Sequence, residues 1–242
     1  MTHEVEPGRL VASGRYNDVY ELGPDRVLRR YRDAGRMPSW EADVMRLARS
    51  RGVPVPAVHD VDGPDMTLEL VRGRTMLADL TRRPWRLLSH ARTLVELHRL
   101  VHRVPAPPEL PAPFGAGDTL LHLDLHPGNV ILSSTGPVII DWQGAARGPA
   151  AADLAHTYLL LVTSSVTGPA PHRLLARAGQ APFASFFRWA AGPAAVDSQL
   201  RAVAGRRLTD PSLFPEEALR IERMLSVLPA AAGDADEETP AD

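Results

Sequence analysis

The pattern of the chain changes once, at Arg72-Gly73, from short β-prone runs to long amphipathic stretches, and this switch points to an α+β plan with strands first and helices after. Before it, Arg9 to Ala12, Val19 to Leu22 and Arg26 to Tyr31 read as strands. They are separated by Ser13-Gly14-Arg15-Tyr16-Asn17-Asp18 and by the turn Gly23-Pro24-Asp25, so a meander is expected. Ser39 offers an N-cap with Glu41 in the first turn, and Val44, Leu47 and Ala48 share one face, which predicts a helix to about Ser50, stopped by Gly52. Val58 to Val61 and Met66 to Val71 complete a hairpin across Asp62-Gly63-Pro64-Asp65.

Beyond the switch, Trp85 to Arg103 carries Leu87, Ala91, Leu94, Val95, His98 and Val101 on one stripe, as an amphipathic helix does. The Pro-rich piece Pro105 to Pro113 reads as a stiff surface connector. Thr119 to Leu121 and a hairpin of Val130 to Leu132 with Val138 to Ile140 flank a polar loop. Asp153 to Val162, Pro171 to Arg177, Phe183 to Ala191 and Glu216 to Leu228 read as helices. The expected division is a first lobe over 1–71, a second over 72–231, and a disordered acidic tail over 232–242.

Composition removes several classes of function. A net charge of -2 gives no electrostatic reason to expect nucleic acid. The 27 basic residues are all arginine, so any fixed cation must be a guanidinium, and the absence of cysteine removes disulfides and thiolate chemistry. The N-terminus lacks the layout of a signal peptide and no run is apolar enough to span a bilayer, so no membrane partner is expected and the cytoplasm is the expected compartment.

The chemistry concentrates in His122-Leu-Asp-Leu-His-Pro-Gly-Asn129 and Ile139-Ile140-Asp141-Trp142. Asp124 and Asn129 lie on a loop between apolar strands, and Asp141 ends one. Two acids and an amide aimed from strand ends into one cleft are costly unless a metal or ligand compensates them. The set suits phosphoryl transfer, with Asp124 aligning a substrate hydroxyl while Asn129 and Asp141 hold Mg2+ against nucleotide phosphates. His122 reads as a buried brace. His126 either touches the γ-phosphate or shapes the loop, and Asp153 is an N-cap or loop brace. At helical spacing, His98 falls on a packing face and His102 on a solvent face.

This order of motifs resembles the aminoglycoside phosphotransferase family of the protein-kinase-like fold. The carriers are Ser13-Gly14-x-x-Asn17-Asp18-Val19-Tyr20, Val27-Leu28-Arg29, Glu41, Leu68-Glu69-Leu70-Val71, His122-x-Asp124-Leu-His-Pro-Gly-Asn129 and Ile140-Asp141-Trp142. The resemblance implies two lobes and a loop around Gly14 and Asn17 that closes over phosphates. It implies that Arg29 is the phosphate-binding cation oriented by Glu41, with Glu69 C=O and Val71 N–H meeting the purine. ATP, with GTP as the other choice, and Mg2+ are the implied cofactors. The implied reaction is transfer to a hydroxyl of an aminoglycoside, amino alcohol or sugar; the alternative is a nucleotide-binding pseudokinase with a regulatory role. The family places glycine between the His and the catalytic Asp. Here Leu123 stands there, so either the backbone differs at that point or the position needs no positive φ, and Leu123 is expected to pack inward. The passage from Asp141 to Asp153 has no room for a long activation loop, which favours a small acceptor over a protein. For a polycationic acceptor the candidate carboxylates are Asp197, Asp210, Glu216 and Glu217. Oligomeric state is not legible.

Overall fold

A computed structural model of the chain describes residues 8–14, 16–32, 39–164, 170–211 and 213–228; the expected acidic tail lies outside them. Strands β1 (Leu10–Ser13), β2 (Asn17–Glu21), β3 (Arg26–Tyr31), β4 (Val58–Asp62) and β5 (Asp65–Glu69) form an antiparallel sheet in the order β1-β2-β3-β5-β4. Helix α1 (Ser39–Ser50) lies between β3 and β4 in sequence and buries Glu41, Ala42, Val44, Met45 and Ala48. The sheet contributes Val27, Tyr31, Met66 and Leu68 to the same core. Because β3 is central, it buries Val27, Leu28 and Arg29 in succession rather than alternating, so a charged side chain is drawn inside with its neighbours.

After β5 the chain passes straight into the second lobe. Leu70 N–H donates to Asp25 C=O at 2.8 Å, and β6 (Gly73–Thr75) then pairs with the later hairpin of β8 (Val130–Ser133) and β9 (Gly136–Ile139). Ile139 N–H reaches back to Pro54 C=O at 2.8 Å. The core is accordingly continuous, with Leu94, Val95, Ile139 and Trp142 packed in the same cluster as Met45 and Met66.

The helices of the second lobe are α2 (Met76–Arg82), α3 (Leu87–Val101), α4 (Ala150–Thr163), α5 (Ala170–Ala191), α6 (Pro193–Leu208) and α7 (Pro215–Val227). Strand β7 (Thr119–Leu121) pairs with β10 (Ala146–Gly148), which leads into α4 with no long intervening loop. A second core of Ala155, Leu159, Leu200, Val203 and Ile221 joins α4, α6 and α7.

Four differences from the sequence reading have physical causes. The segments Pro171 to Arg177 and Phe183 to Ala191 belong to one helix that runs through Pro182; tertiary packing overrides the local break. Helix α6 escapes periodicity because alanines surround its buried Val196, Leu200, Val203 and Ala204. Helix α2 is short and is defined by its cap, with Thr75 Oγ1 accepting from Ala78 N–H at 3.1 Å. His102 does not face solvent: its Nε2 lies 2.9 Å from Asp153 Oδ2, a partner 51 residues away.

Candidate active site

The β8–β9 hairpin gathers the loop residues. Val130 pairs with Ile139, so Asn129 and Ile140 stand opposite each other just beyond the ladder, with Ile140 N–H donating to Asn129 C=O at 3.0 Å. Asp141 follows at once. Both N–H bonds of the Asn129 amide go to Asp124, at 2.9 Å to its carbonyl and 2.9 Å to its Oδ2. That fixes the amide and leaves its oxygen as the donor atom for a cation.

Asp141 also meets the first lobe. Arg29 Nη2 donates to Asp141 Oδ1 at 2.9 Å, while Nη1 donates to Glu41 Oε1 at 2.8 Å. Glu41 additionally accepts from Trp142 N–H at 3.0 Å and from the Tyr31 hydroxyl. Burial pushes the Glu41 carboxyl up and the charge of Asp141 adds to this, while Arg29 and the Tyr31 hydroxyl oppose it. Although Arg29 is itself buried, Glu41 and Asp141 raise its pKa further. One residue from β3, one from α1 and one from the second lobe thus form a single charged chain. Asn17 joins it: with its amide oxygen turned toward the donors, it accepts from Arg29 Nε and Nη2 at 3.0 Å and from Gln143 Nε2 at 2.7 Å. Gln143 Nε2 also lies 3.0 Å from Asp141 Oδ1. Sequence reading did not single out Gln143, whose one signal was its place two residues after Asp141.

The remaining expectations fall as follows. Gly14 N–H donates to Asn17 C=O at 2.8 Å, closing the turn between β1 and β2. The Glu69 side chain accepts from Ala57 N–H at 2.9 Å and lies 3.3 Å from Arg49, so its carboxylate is engaged within the first lobe. Arg30 pairs with Asp65 through two contacts of 2.7 Å.

The loop itself is braced from below. His122 Nδ1 accepts from Asp124 N–H at 3.2 Å, which places its proton on Nε2, 3.2 Å from Ile140 C=O. Burial lowers its pKa and keeps it neutral. Asp153, fully buried in the first turn of α4, accepts from His122 N–H at 3.1 Å and from Leu123 N–H at 2.7 Å. It is a loop brace, since Pro149 occupies the N-cap. Both hydrogen-bonded N–H groups lie just before the Leu123 α-carbon: Leu123 has φ 56, so the backbone takes the left-handed form with leucine in place. Asp141 also has a positive φ, 66. Strain of this kind persists where surroundings over-determine it. His126 shapes the loop through Nδ1, which accepts from Gly128 N–H at 3.0 Å. A Cβ on Gly128 would stand 2.6 Å from that ring, so glycine is required. Its Nε2 is 3.6 Å from Asp124 Oδ1.

Asp124 is the perturbed acid of the group. Burial and the nearby charge of Asp141 raise its pKa to about 7, against the opposing effects of Asn129 and Arg207. A carboxyl of that kind accepts a hydrogen bond from a hydroxyl and can take its proton near neutrality. Among the described residues no group of three or more His, Cys, Asp or Glu could hold a metal by itself. A carboxylate and an amide oxygen do suit Mg2+, which commonly takes one or two protein ligands and completes its shell with phosphate oxygens and water.

The model of a phosphotransferase enzyme family, APH, matches residues 7–116 and 106–191. No curated protein matches the sequence. Among solved structures, a thermostable mutant of aminoglycoside phosphotransferase APH(4)-Ia, in ternary complex with AMP-PNP and hygromycin B, superposes with a TM-score of 0.65 at 15% identity, covering 93% of this chain and 94% of that one. A streptomycin-ATP complex of APH(2")-IIa gives 0.60 at 12% identity over 84% of each chain. A choline/ethanolamine kinase family protein from Mesorhizobium loti gives 0.50 at 14% identity over 93% of this chain and 86% of that one. At these identities the likeness carries the fold.

Proposed function

Because the chain belongs to the phosphotransferase enzyme family, we propose that it moves the γ-phosphate of a nucleoside triphosphate, ATP or GTP, to a hydroxyl of a small molecule. The observation that carries this reading is the charged chain Glu41–Arg29–Asp141, which joins the cation of the first lobe to the carboxylate of the second within 2.9 Å. In this reading residues 1–71 hold the nucleotide and 72–231 supply catalysis and the acceptor site. The turn at Gly14 covers the phosphates and Asn17 orients Arg29, which binds the α- and β-phosphates. Glu69 C=O and Val71 N–H meet the base. Asp141 and the Asn129 oxygen are the groups that would hold Mg2+, which when bound neutralises charge on the phosphates. Asp124 receives the acceptor hydroxyl and aligns it for in-line attack.

The test is direct. Purified protein is expected to bind nucleotide in a Mg2+-dependent way and to hydrolyse it slowly, with both lost in Asp141→Ala. Unchanged nucleotide affinity in that variant would remove the metal assignment. Asp124→Asn should keep nucleotide binding and lose turnover by about 10²–10⁴-fold; retained transfer would remove its catalytic role.

A further inference from the structure

Next to the loop, a cavity of about 320 Å³ opens between Leu123 and the end of α6. Its wall includes Phe114, Leu123, His156, Arg206, Arg207 and Asp210. Leu123 directly precedes Asp124, and Arg207 is near enough to Asp124 to favour its charged form. The volume sits at the lower end of small-molecule sites, about 300–1,000 Å³.

The charges around it are unevenly matched. Each candidate carboxylate for a polycationic acceptor already faces an arginine. Asp197 accepts from Arg188 Nε at 2.8 Å, Asp210 from Arg207 at 2.7 Å, Glu217 from Arg207 at 3.2 Å, and Glu216 lies 3.9 Å from Arg220. Arg206 differs. Its guanidinium stands 6.0 Å from the Phe114 ring centroid, and among the described residues it pairs with no carboxylate. A second group on the wall is also unmatched. His156 Nδ1 is shielded from solvent and has no hydrogen-bond partner among the described residues. Burial keeps this ring neutral, with Asp153, Arg207, His126 and His122 as the charged or titratable groups around it. A shielded polar atom without a partner is costly unless a ligand or water supplies one.

We propose that this cavity is the acceptor site, and that its acceptor is a small alcohol bearing a negatively charged group, a hydroxy acid or a phosphorylated polyol. Arg206 takes the anion, Phe114 supports that guanidinium from behind, and the His156 ring forms part of the wall. A hydroxyl is presented past Leu123 to Asp124. Its oxygen bonds to the γ-phosphorus as the bond from phosphorus to the β,γ-bridging oxygen breaks; the proton passes to Asp124, and the nucleoside diphosphate leaves with the bond's electron pair. The assignment rests on the phosphotransfer reading of the cleft. A polycation would meet Arg206 and Arg207, while the carboxylate on this wall, Asp210, is already paired with Arg207.

The experiment is phosphoryl transfer from γ-labelled ATP or GTP, with calorimetric binding of both nucleotides measured on the same samples, over glycerate and malate, glycerol 3-phosphate and glucose 6-phosphate, and kanamycin and choline. Phosphoryl transfer to a carboxylate- or phosphate-bearing alcohol is expected, and the two arms show which anion is used. Arg206→Ala should raise the KM for that acceptor at least tenfold with a much smaller change in kcat, and Arg206→Lys should recover most of the loss. Transfer to kanamycin or choline in preference to every anionic compound overturns the proposal. So does intact ATP turnover with all anionic compounds inert, or an Arg206→Ala variant with an unchanged acceptor KM. These outcomes leave the phosphotransfer reading standing, whereas absence of Mg2+-dependent binding of both ATP and GTP removes that reading and the proposal together.

Discussion

On the side of the cleft proposed for the nucleotide, Arg29, Glu41, Asp141, Asn17 and Gln143 are joined into one hydrogen-bonded chain, with Gln143 Oε1 left without a partner among the described residues. On the side proposed for the acceptor, among the described residues, Arg206 leans on an aromatic ring without a carboxylate partner and His156 Nδ1 has no hydrogen-bond partner. The first side is largely organised by its own contacts; the second leaves groups for a ligand to match. Matched charges preorganise a site at the expense of adaptability, and unmatched ones give selectivity to whichever molecule completes them. In the proposed reading one half of the cleft is fixed by its own contacts while the other half sets the acceptor.

The largest effect that would break this contrast lies at Arg29. Arg29→Met leaves Glu41 buried without its cation, and is expected to cost about 3–5 kcal/mol in denaturant unfolding. Arg29→Lys should recover only part, because one ammonium cannot reach Glu41, Asp141 and Asn17 together. If Arg29→Met unfolds like the parent, the nucleotide side is not held by its charges.

A smaller effect tests the packing beneath the loop. His98 is fully buried, with Nδ1 2.8 Å from Leu94 C=O and Nε2 2.9 Å from Thr157 Oγ1, and burial lowers its pKa to about 4. An unfolded histidine titrates near 6.5, so between about pH 6.5 and 4 the unfolded state binds the extra proton. Stability present above that window is lost as pH falls, by about 1.4 kcal/mol per pH unit from this group. His98→Gln should flatten the stability profile there; an unchanged slope would assign the loss to other groups.

The smallest effect is at the junction of the two sides. Leu123→Gly relieves the left-handed backbone, worth about 1–2 kcal/mol, and loses side-chain contact and chain stiffness of similar size. The expected net change in stability is within about 1 kcal/mol, with acceptor KM moving more than nucleotide affinity. Equal shifts in both would show that Leu123 sets the loop rather than the acceptor wall.

Much of the first lobe was legible because strand runs, turn residues and the Ser39 helix start are local signals. The bounds of β3 and α1 read from sequence coincide with those observed. The grouping of Asp124, Asn129 and Asp141 was legible for a related reason, since a short hairpin brings its two ends together whatever surrounds it. Helix α6 was not, because alanine blunts the apolar period that marks a buried face. Gln143 was not either: its partners, Asn17 and Arg29, come from the other lobe.

The amino-acid order alone thus determined the strand-to-helix switch, the arginine-only cation set, and the spacing of acids on one loop, all of which depend on neighbours in sequence. Tertiary structure decided which carboxylates are spent. It paired Asp197, Asp210 and Glu217 with arginines, left Arg206 over Phe114, and let Asp153 hold Leu123 at φ 56 from 30 residues away. Charge matching and backbone strain depend on distances across the fold, and those are set only when distant segments pack against one another.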